Sequence, residues 1–186
     1  EYSRVKARVG SMTSEERLHI IDNCTQALGP HDAPIREFEL INYTFEFIMD
    51  YGAYREFKRH RMMSYLPQDL TVDHGYRIPQ LFIDAGISER FYELMEEVAA
   101  SYRYIYEVSP RAAQYVVTHA HYRRLVARCN LRECYHLFKL RTSDLAHFSI
   151  REPILAAMRL VVDKDPGFFR YLKLRDYPDW WPYKQE

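Results

Sequence analysis

The chain has 186 residues, 47% of them apolar and 28% charged, with 26 basic and 26 acidic side chains. This length and composition describe one soluble globular domain with enough chain to bury a core. A net charge of zero supplies no global field for nucleic acid or an anionic membrane, so neither is an expected partner. Any anion site must then be a local cluster of Arg or Lys.

Three cysteines, Cys24, Cys129 and Cys134, form no C-x-x-C pair, so neither a zinc site nor a redox dithiol is expected. No basic-then-apolar leader and no apolar run of bilayer length is present, and a reducing, cytoplasmic setting is expected. The start at Glu1, without a methionine, is compatible with one part of a longer polypeptide. Sixteen tyrosines and ten phenylalanines suit an oligomer interface or a planar-ligand pocket.

In chain order, residues 1–10 carry little pattern and read as a tail or interface arm. Thr13-Ser14-Glu15-Glu16 is a capping box that opens a helix. Its apolar stripe runs through Leu18, Ile21 and Leu28, and Gly29-Pro30 ends it. Phe38 to Ile48 is dense in aromatic and β-branched residues, with Ile41, Tyr43, Phe45 and Phe47 alternating as on a strand. Asp50 to Arg61 reads as a helix ending in positive charge, which complements its dipole. Met62 to Tyr65 is a short strand broken at Pro67, followed by a loop to Pro79. Ser88 to Val108 is a long helix with Phe91, Leu94, Met95, Val98, Tyr102 and Ile105 at helical spacing. Tyr115 to Arg128 reads as a second strand, Leu131 to Arg141 as a helix, and Leu145 to Val162 as another, interrupted at Pro153. The terminal Asp179-Trp180-Trp181-Pro182 is too aromatic for a free tail and is expected to dock on the body or on a neighbour. Strands separated by helices of mixed order predict a single α+β domain over residues 1–186.

One constellation stands out. Arg55, Arg59, His60 and Arg61 crowd together after an aromatic strand and a helix, and Met62-Met63-Ser64 follows. Read alone, an Arg-His-Arg triplet is more often a solvated helix end than an anion site. In its setting it resembles the signature of the flavin-dependent thymidylate synthases, Arg-His-Arg-x-x-Ser-x-Asn-Glu-x-Ser-x-Arg-Tyr. Phe38-Glu39 and Thr44-Phe45 stand where that family has its Phe-Glu-His and Thr-Phe segment. Asn130-Leu131-Arg132, His136-Leu137-Phe138 and Leu140-Arg141 resemble its second block, and Ala146-His147, Ile150-Arg151 and Pro166-x-Phe168 continue it. The likeness covers residues 36 to 168.

The resemblance implies an α+β fold with a mainly antiparallel sheet flanked by helices. It also implies a homotetramer or pseudo-tetramer with FAD at subunit interfaces. The implied reaction methylates dUMP to dTMP with methylenetetrahydrofolate, through flavin reduced by NADPH. Arginine forks suit the FAD pyrophosphate and an anionic reduced ring. The family pattern assigns Thr44, Arg59, His60, Arg61, Asn130, Arg132 and His136 to the flavin. It places Ser64 and Arg141 at the substrate, with Arg141 as the catalytic cation against the pyrimidine; a helix C-terminal cap is the plainer reading of Arg141.

The nucleotide half departs from the pattern. After Ser64 the chain reads Leu66-Pro67-Gln68-Asp69-Leu70-Thr71-Val72, so the phosphate-holding Ser and Arg become Asp69 and Thr71. A slip of two residues puts Asp73 at the arginine instead. A carboxylate about 4 Å from a phosphate charge costs on the order of 4 kcal/mol at an effective dielectric near 20. Leu40 replaces a flavin-side histidine, Glu56 a glutamine, and Gln114 an arginine. Arg77 is a candidate substitute. The expected alternative to an active enzyme is a non-catalytic flavin-binding or structural subunit that completes an oligomer with an active relative.

Other candidates read as structural. His119 and His121, two apart on the expected strand, share a face, but no carboxylate or cysteine joins them at metal-ligand spacing. Arg123, Arg124 and Arg128 read as a solvated edge, and His74-Gly75-Tyr76 as a turn.

Overall fold

The computed structural model describes residues 1–183. Helix α1 (Tyr2–Ser11) occupies the segment expected to be a patternless arm, and it buries none of its residues. Helix α2 (Ser14–Thr25) begins at the expected capping box: Thr13 accepts from the Glu16 amide, and the Glu16 carboxylate accepts from the Thr13 amide. Its expected apolar stripe is not fully buried: Leu18 is exposed, and Ile21 and Leu28 are only partly covered.

The first strand, β1 (Asn42–Asp50), starts later than its aromatic run. Residues Arg36–Leu40 form a 3-10 turn instead, which sinks Phe38 against the Tyr135 and Phe168 rings at 6.4 and 5.5 Å. Along β1, Tyr43, Phe47 and Met49 are buried while Thr44, Glu46 and Ile48 are exposed, the period of two that a half-buried strand requires. Helix α3 (Tyr51–Phe57) follows, capped by Asp50, whose Oδ1 accepts from the Ala53 amide at 2.8 Å. It ends four residues before the expected Arg61. Phe57 is fully buried there, and single turns closed by Arg59 N to Glu56 O and His60 N to Phe57 O take over. The triplet therefore lies beyond the helix rather than on its last turn.

Strand β2 (Ser64–Pro67) pairs antiparallel with β3 (Tyr122–Asn130), Ser64 facing Arg128 and Pro67 facing Leu125. The sheet order is β1-β3-β2, so Pro67 sits on an edge strand, where its missing N–H is tolerated. After the short α4 (Gln80–Asp84), helix α5 (Ser88–Val108) and helix α7 (Leu131–Arg141) have the predicted bounds. Between them stand α6 (Pro110–Ala113) and a 3-10 turn over Gln114–Val116. The expected strand from Tyr115 thus begins only at Tyr122. Thr118 to His121 is a turn, held by the Thr118 amide donating to His121 Nδ1 at 3.2 Å. Helix α8 (Phe148–Lys164) runs through Pro153 without the expected break; Pro153 is its sixth residue, close enough to the start to be accommodated.

The chain is α+β, combining helices with a small three-stranded sheet, and its contacts form two compact units. One comprises Glu1–Tyr43, Asn130–Ala146 and Ile154–Glu186. Its core includes Leu131, Cys134, Tyr135, Phe138, Met158 and Phe169. The aromatic terminus docks within this unit: the Arg159 guanidinium lies 5.8 Å from the Trp180 ring, Trp181 meets Tyr177 and Tyr183, and the Tyr183 hydroxyl donates to the Pro166 carbonyl. The other unit comprises Thr44–Cys129 and His147–Pro153. Its buried residues include Phe47, Met49, Phe57 and Leu125, with a second cluster of Val72, Ala99, Tyr102, Ala113 and Val117. Among the described residues no helix is long and apolar enough to cross a membrane.

Candidate functional site

Within the unit that holds the sheet, the triplet splits by direction. His60 is buried, while Arg59 and Arg61 are exposed. The turn is held from outside by Tyr65, whose hydroxyl donates toward the carbonyls of Phe57 at 2.8 Å and His60 at 3.0 Å. Arg59 pairs with Glu56 at 2.9 Å; among the described residues Arg61 makes no ion pair. Arg59 lines a shallow cavity of about 400 Å³ with Arg55, Lys58, Glu56 and His119. There Arg55 Nη1 lies 3.0 Å from His119 Nε2. A guanidinium only donates, so this ring nitrogen is the acceptor and His119 carries its proton on Nδ1. Thr44 on β1 and Ser64 at the head of β2 are exposed.

In the other unit, Asn130 is the N-cap of α7, its Oδ1 accepting from the Glu133 amide at 2.8 Å. Arg132 and His136 follow on α7 and line a cavity of about 700 Å³ together with Lys139, Lys173, Arg175 and His31. Arg132 is fixed by Nε donating to the Pro34 carbonyl at 2.8 Å and by Nη1 to Glu39 at 3.1 Å. Two of its five N–H donors are spent there. Lys139 donates to the Asp32 carbonyl at 3.0 Å, and burial pushes its ammonium below the ordinary lysine range, partly offset by Asp32. Arg141 closes α7 in its last turn, half exposed. Of these cavity residues, Lys139 had a sequence signal, because it lies three residues beyond His136 and seven beyond Arg132 on one helix face. Lys173, Arg175 and His31 arrive from distant segments with no local pattern.

Four of the departures from the nucleotide pattern meet in one place, while Glu56 lies at other cavities. Asp69, Thr71, Asp73 and Gln114 line a single cavity of about 1000 Å³, with Arg103, Glu107 and Arg111 of the α5–α6 region. Gln114 is engaged within the fold: its Oε1 accepts from the Leu70 amide at 3.1 Å. Arg77 does not line this cavity. It donates to Glu152 at 2.7 Å and lies 4.8 Å from the Phe148 ring centroid, beside a different cavity of about 570 Å³ that Asp50, His119 and His147 also line. Its guanidinium is held further into the charged range by Glu152, against a smaller opposing effect of burial.

His119 and His121 do not share a strand face. His119 is exposed in the turn, whereas His121 is buried, and burial holds its imidazole below the ordinary histidine range.

Residues 2–167 match the family described as thymidylate synthase complementing protein. The chain is 34% identical over 149 residues to a UPF0159 protein of Chlamydia muridarum, covering 80% of this chain and 28% of that protein. It is 32% identical over 148 residues to a UPF0159 protein of Thermoplasma acidophilum, covering 77% of this chain and 30% of that protein. A UPF0159 protein of Chlamydia pneumoniae is 29% identical over 170 residues, covering 90% of this chain and 32% of the relative. The chain thus spans under a third of the length of the relatives it matches. The extent of the family match, with the triplet and the second block inside it, carries the conclusion: this chain belongs to the thymidylate synthase complementing protein family.

Proposed function

We propose that this chain forms the flavin-holding part of a flavin-dependent thymidylate synthase, which methylates dUMP to dTMP with methylenetetrahydrofolate and NADPH. The observation that carries the reading is the cavity of about 700 Å³ on α7, in which Arg132 and His136 stand with Lys139, Lys173 and Arg175. A pyrophosphate brings two negative charges, and these side chains offer four cations against Asp32 in the lining and Glu39 behind Arg132. The residues therefore fit the anionic centre of FAD. Arg132 is oriented before any ligand arrives, which lowers the ordering cost of binding. The family pattern also assigns Arg59 and Arg61 of the other unit to flavin; both are exposed, and the Tyr65 hydroxyl fixes the turn that carries them. Bound FAD would supply the hydride of the reaction. Arg141 then serves as the cation against the pyrimidine, in a homotetramer or pseudo-tetramer that assembles the complete site.

FAD titration of the purified chain, followed by flavin fluorescence, tests the binding claim; the expected result is saturable quenching that Arg132→Ala weakens. Absence of saturable binding sinks the reading. Formation of dTMP from dUMP, with NADPH and methylenetetrahydrofolate present, tests the reaction.

A second reading is favoured by one observation. Asp69 and Thr71, which replace the Ser and Arg that the family pattern places on the phosphate, line one cavity with Gln114, so a chain that binds flavin but makes no dTMP is a subunit that completes an active partner's site.

A further inference from the structure

The cavity between the segment after β2 and the α5–α6 region has two chemically opposite walls. The first wall is a loop that turns at Val72 and Asp73. Leu70 and Val72 pack on Ala99, Tyr102, Ala113 and Val117, and Asp69, Leu70, Thr71 and Asp73 line the cavity. The backbone of this wall is already engaged: the Leu70 amide donates to Gln114 and its carbonyl accepts from the Tyr102 hydroxyl at 3.3 Å. The Thr71 hydroxyl donates to Asp73 at 2.6 Å and fixes that carboxylate. On the second wall stand Arg103 and Arg111, and among the described residues neither makes an ion pair or a hydrogen bond. Glu107 lies on the same wall, and Tyr106 offers an aromatic ring beside them, 49% exposed.

A carboxylate wall repels a phosphate and accepts hydrogen bonds from hydroxyls, whereas two unpaired guanidinium groups do the reverse. We propose that this cavity binds a ribonucleoside monophosphate, with its phosphate on Arg103 and Arg111 and its ribose hydroxyls on Asp69 and Asp73. Tyr106 supplies a stacking face for the base. The inference rests on the second reading above, a chain that makes no dTMP, because a ligand with a 2′-hydroxyl satisfies the carboxylate wall better than a deoxyribonucleotide such as dUMP. Glu107 opposes the phosphate and sets a ceiling on its affinity.

Calorimetric titration of the full chain with UMP, dUMP and uridine tests this. UMP is expected to bind at least about tenfold more tightly than either of the others. Arg103→Ala and Arg111→Ala should each weaken UMP by about tenfold and leave uridine unchanged, while Glu107→Gln should tighten UMP. Asp69→Asn with Asp73→Asn should bring UMP and dUMP together. No saturable UMP binding, a preference for dUMP, or UMP affinity indifferent to both arginine variants overturns the proposal. FAD titration of the same preparations keeps the two readings apart: flavin binding without UMP binding removes only the nucleotide site, and loss of flavin binding with the UMP pattern intact removes only the flavin assignment.

Discussion

The Tyr65 hydroxyl reaches the main-chain carbonyl of His60 at 3.0 Å and that of Phe57 at 2.8 Å, so one side chain on β2 clamps the turn that presents Arg59 and Arg61. Tyr65 also packs its ring edge-on to Phe57, at 5.3 Å between centroids. It is a positioning residue: it touches the turn and not the ligand. Tyr65→Phe keeps the ring contact and removes the hydroxyl. The expected cost is about 1 kcal/mol in urea unfolding, and flavin affinity should fall severalfold while that of the variant's UMP site stays unchanged.

Arg132 is held by two acceptors at once, and its value lies in a planar fork rather than in charge alone. Arg132→Lys preserves the charge and cannot reproduce both contacts. Flavin fluorescence titration should show a loss of about tenfold for Lys, and a larger one for Ala. Equal affinity of the Lys variant and the parent would show that the fork plays no part.

His121 is buried, and burial depresses its folded-state pKa below the unfolded value of about 6.5. A histidine kept neutral in the fold binds fewer protons there than in the unfolded chain. Its contribution is complete above the unfolded pKa and is lost as pH falls from there toward the lower folded value. Urea unfolding between pH 8 and pH 5 should show stability declining below about pH 6.5, and His121→Asn should flatten that slope.

Asp50 caps α3 through Oδ1, while among the described residues its buried Oδ2 has no hydrogen-bond partner. Removing the side chain in Asp50→Ala should cost about 1 kcal/mol through loss of the cap. Asp50→Asn keeps an acceptor for the Ala53 amide and removes a buried charge, so its stability should lie at or above that of the parent. Chemical unfolding of the two variants side by side distinguishes the cap from the charge.

Some of this was readable from local pattern. Helices α5 and α7 have their predicted bounds because periodic apolar residues specify them locally, with Pro110 just past the end of α5 and the Asn130 cap at the start of α7. Local pattern failed at Phe38, whose burial is decided by Phe168 and Tyr135, more than ninety residues away. It failed again at His119 and His121, because the bond between Thr118 and the His121 ring closes a turn that strand propensity does not foresee. The triplet stands out in the chain, but its split into a buried histidine and two outward arginines depends on the position of Phe57 in the core. That Asp69 stands in place of the pattern's serine is visible in the chain, whereas the arginines of the same cavity are not. Arg103 and Arg111 read as ordinary helix-surface charges until the fold sets them opposite the carboxylates.

Leu70 has both of its backbone groups taken by side chains, the amide by Gln114 and the carbonyl by Tyr102. A ligand in the cavity that Leu70 helps to line therefore finds that residue's main-chain groups already taken. Such a wall can change its preferred ligand by point substitution, at Asp69, Thr71 or Asp73, without any rearrangement of the loop that bears them. The clamp on Leu70 thus keeps the scaffold constant while the chemistry drifts, and a family that turns to a new substrate can do so one side chain at a time.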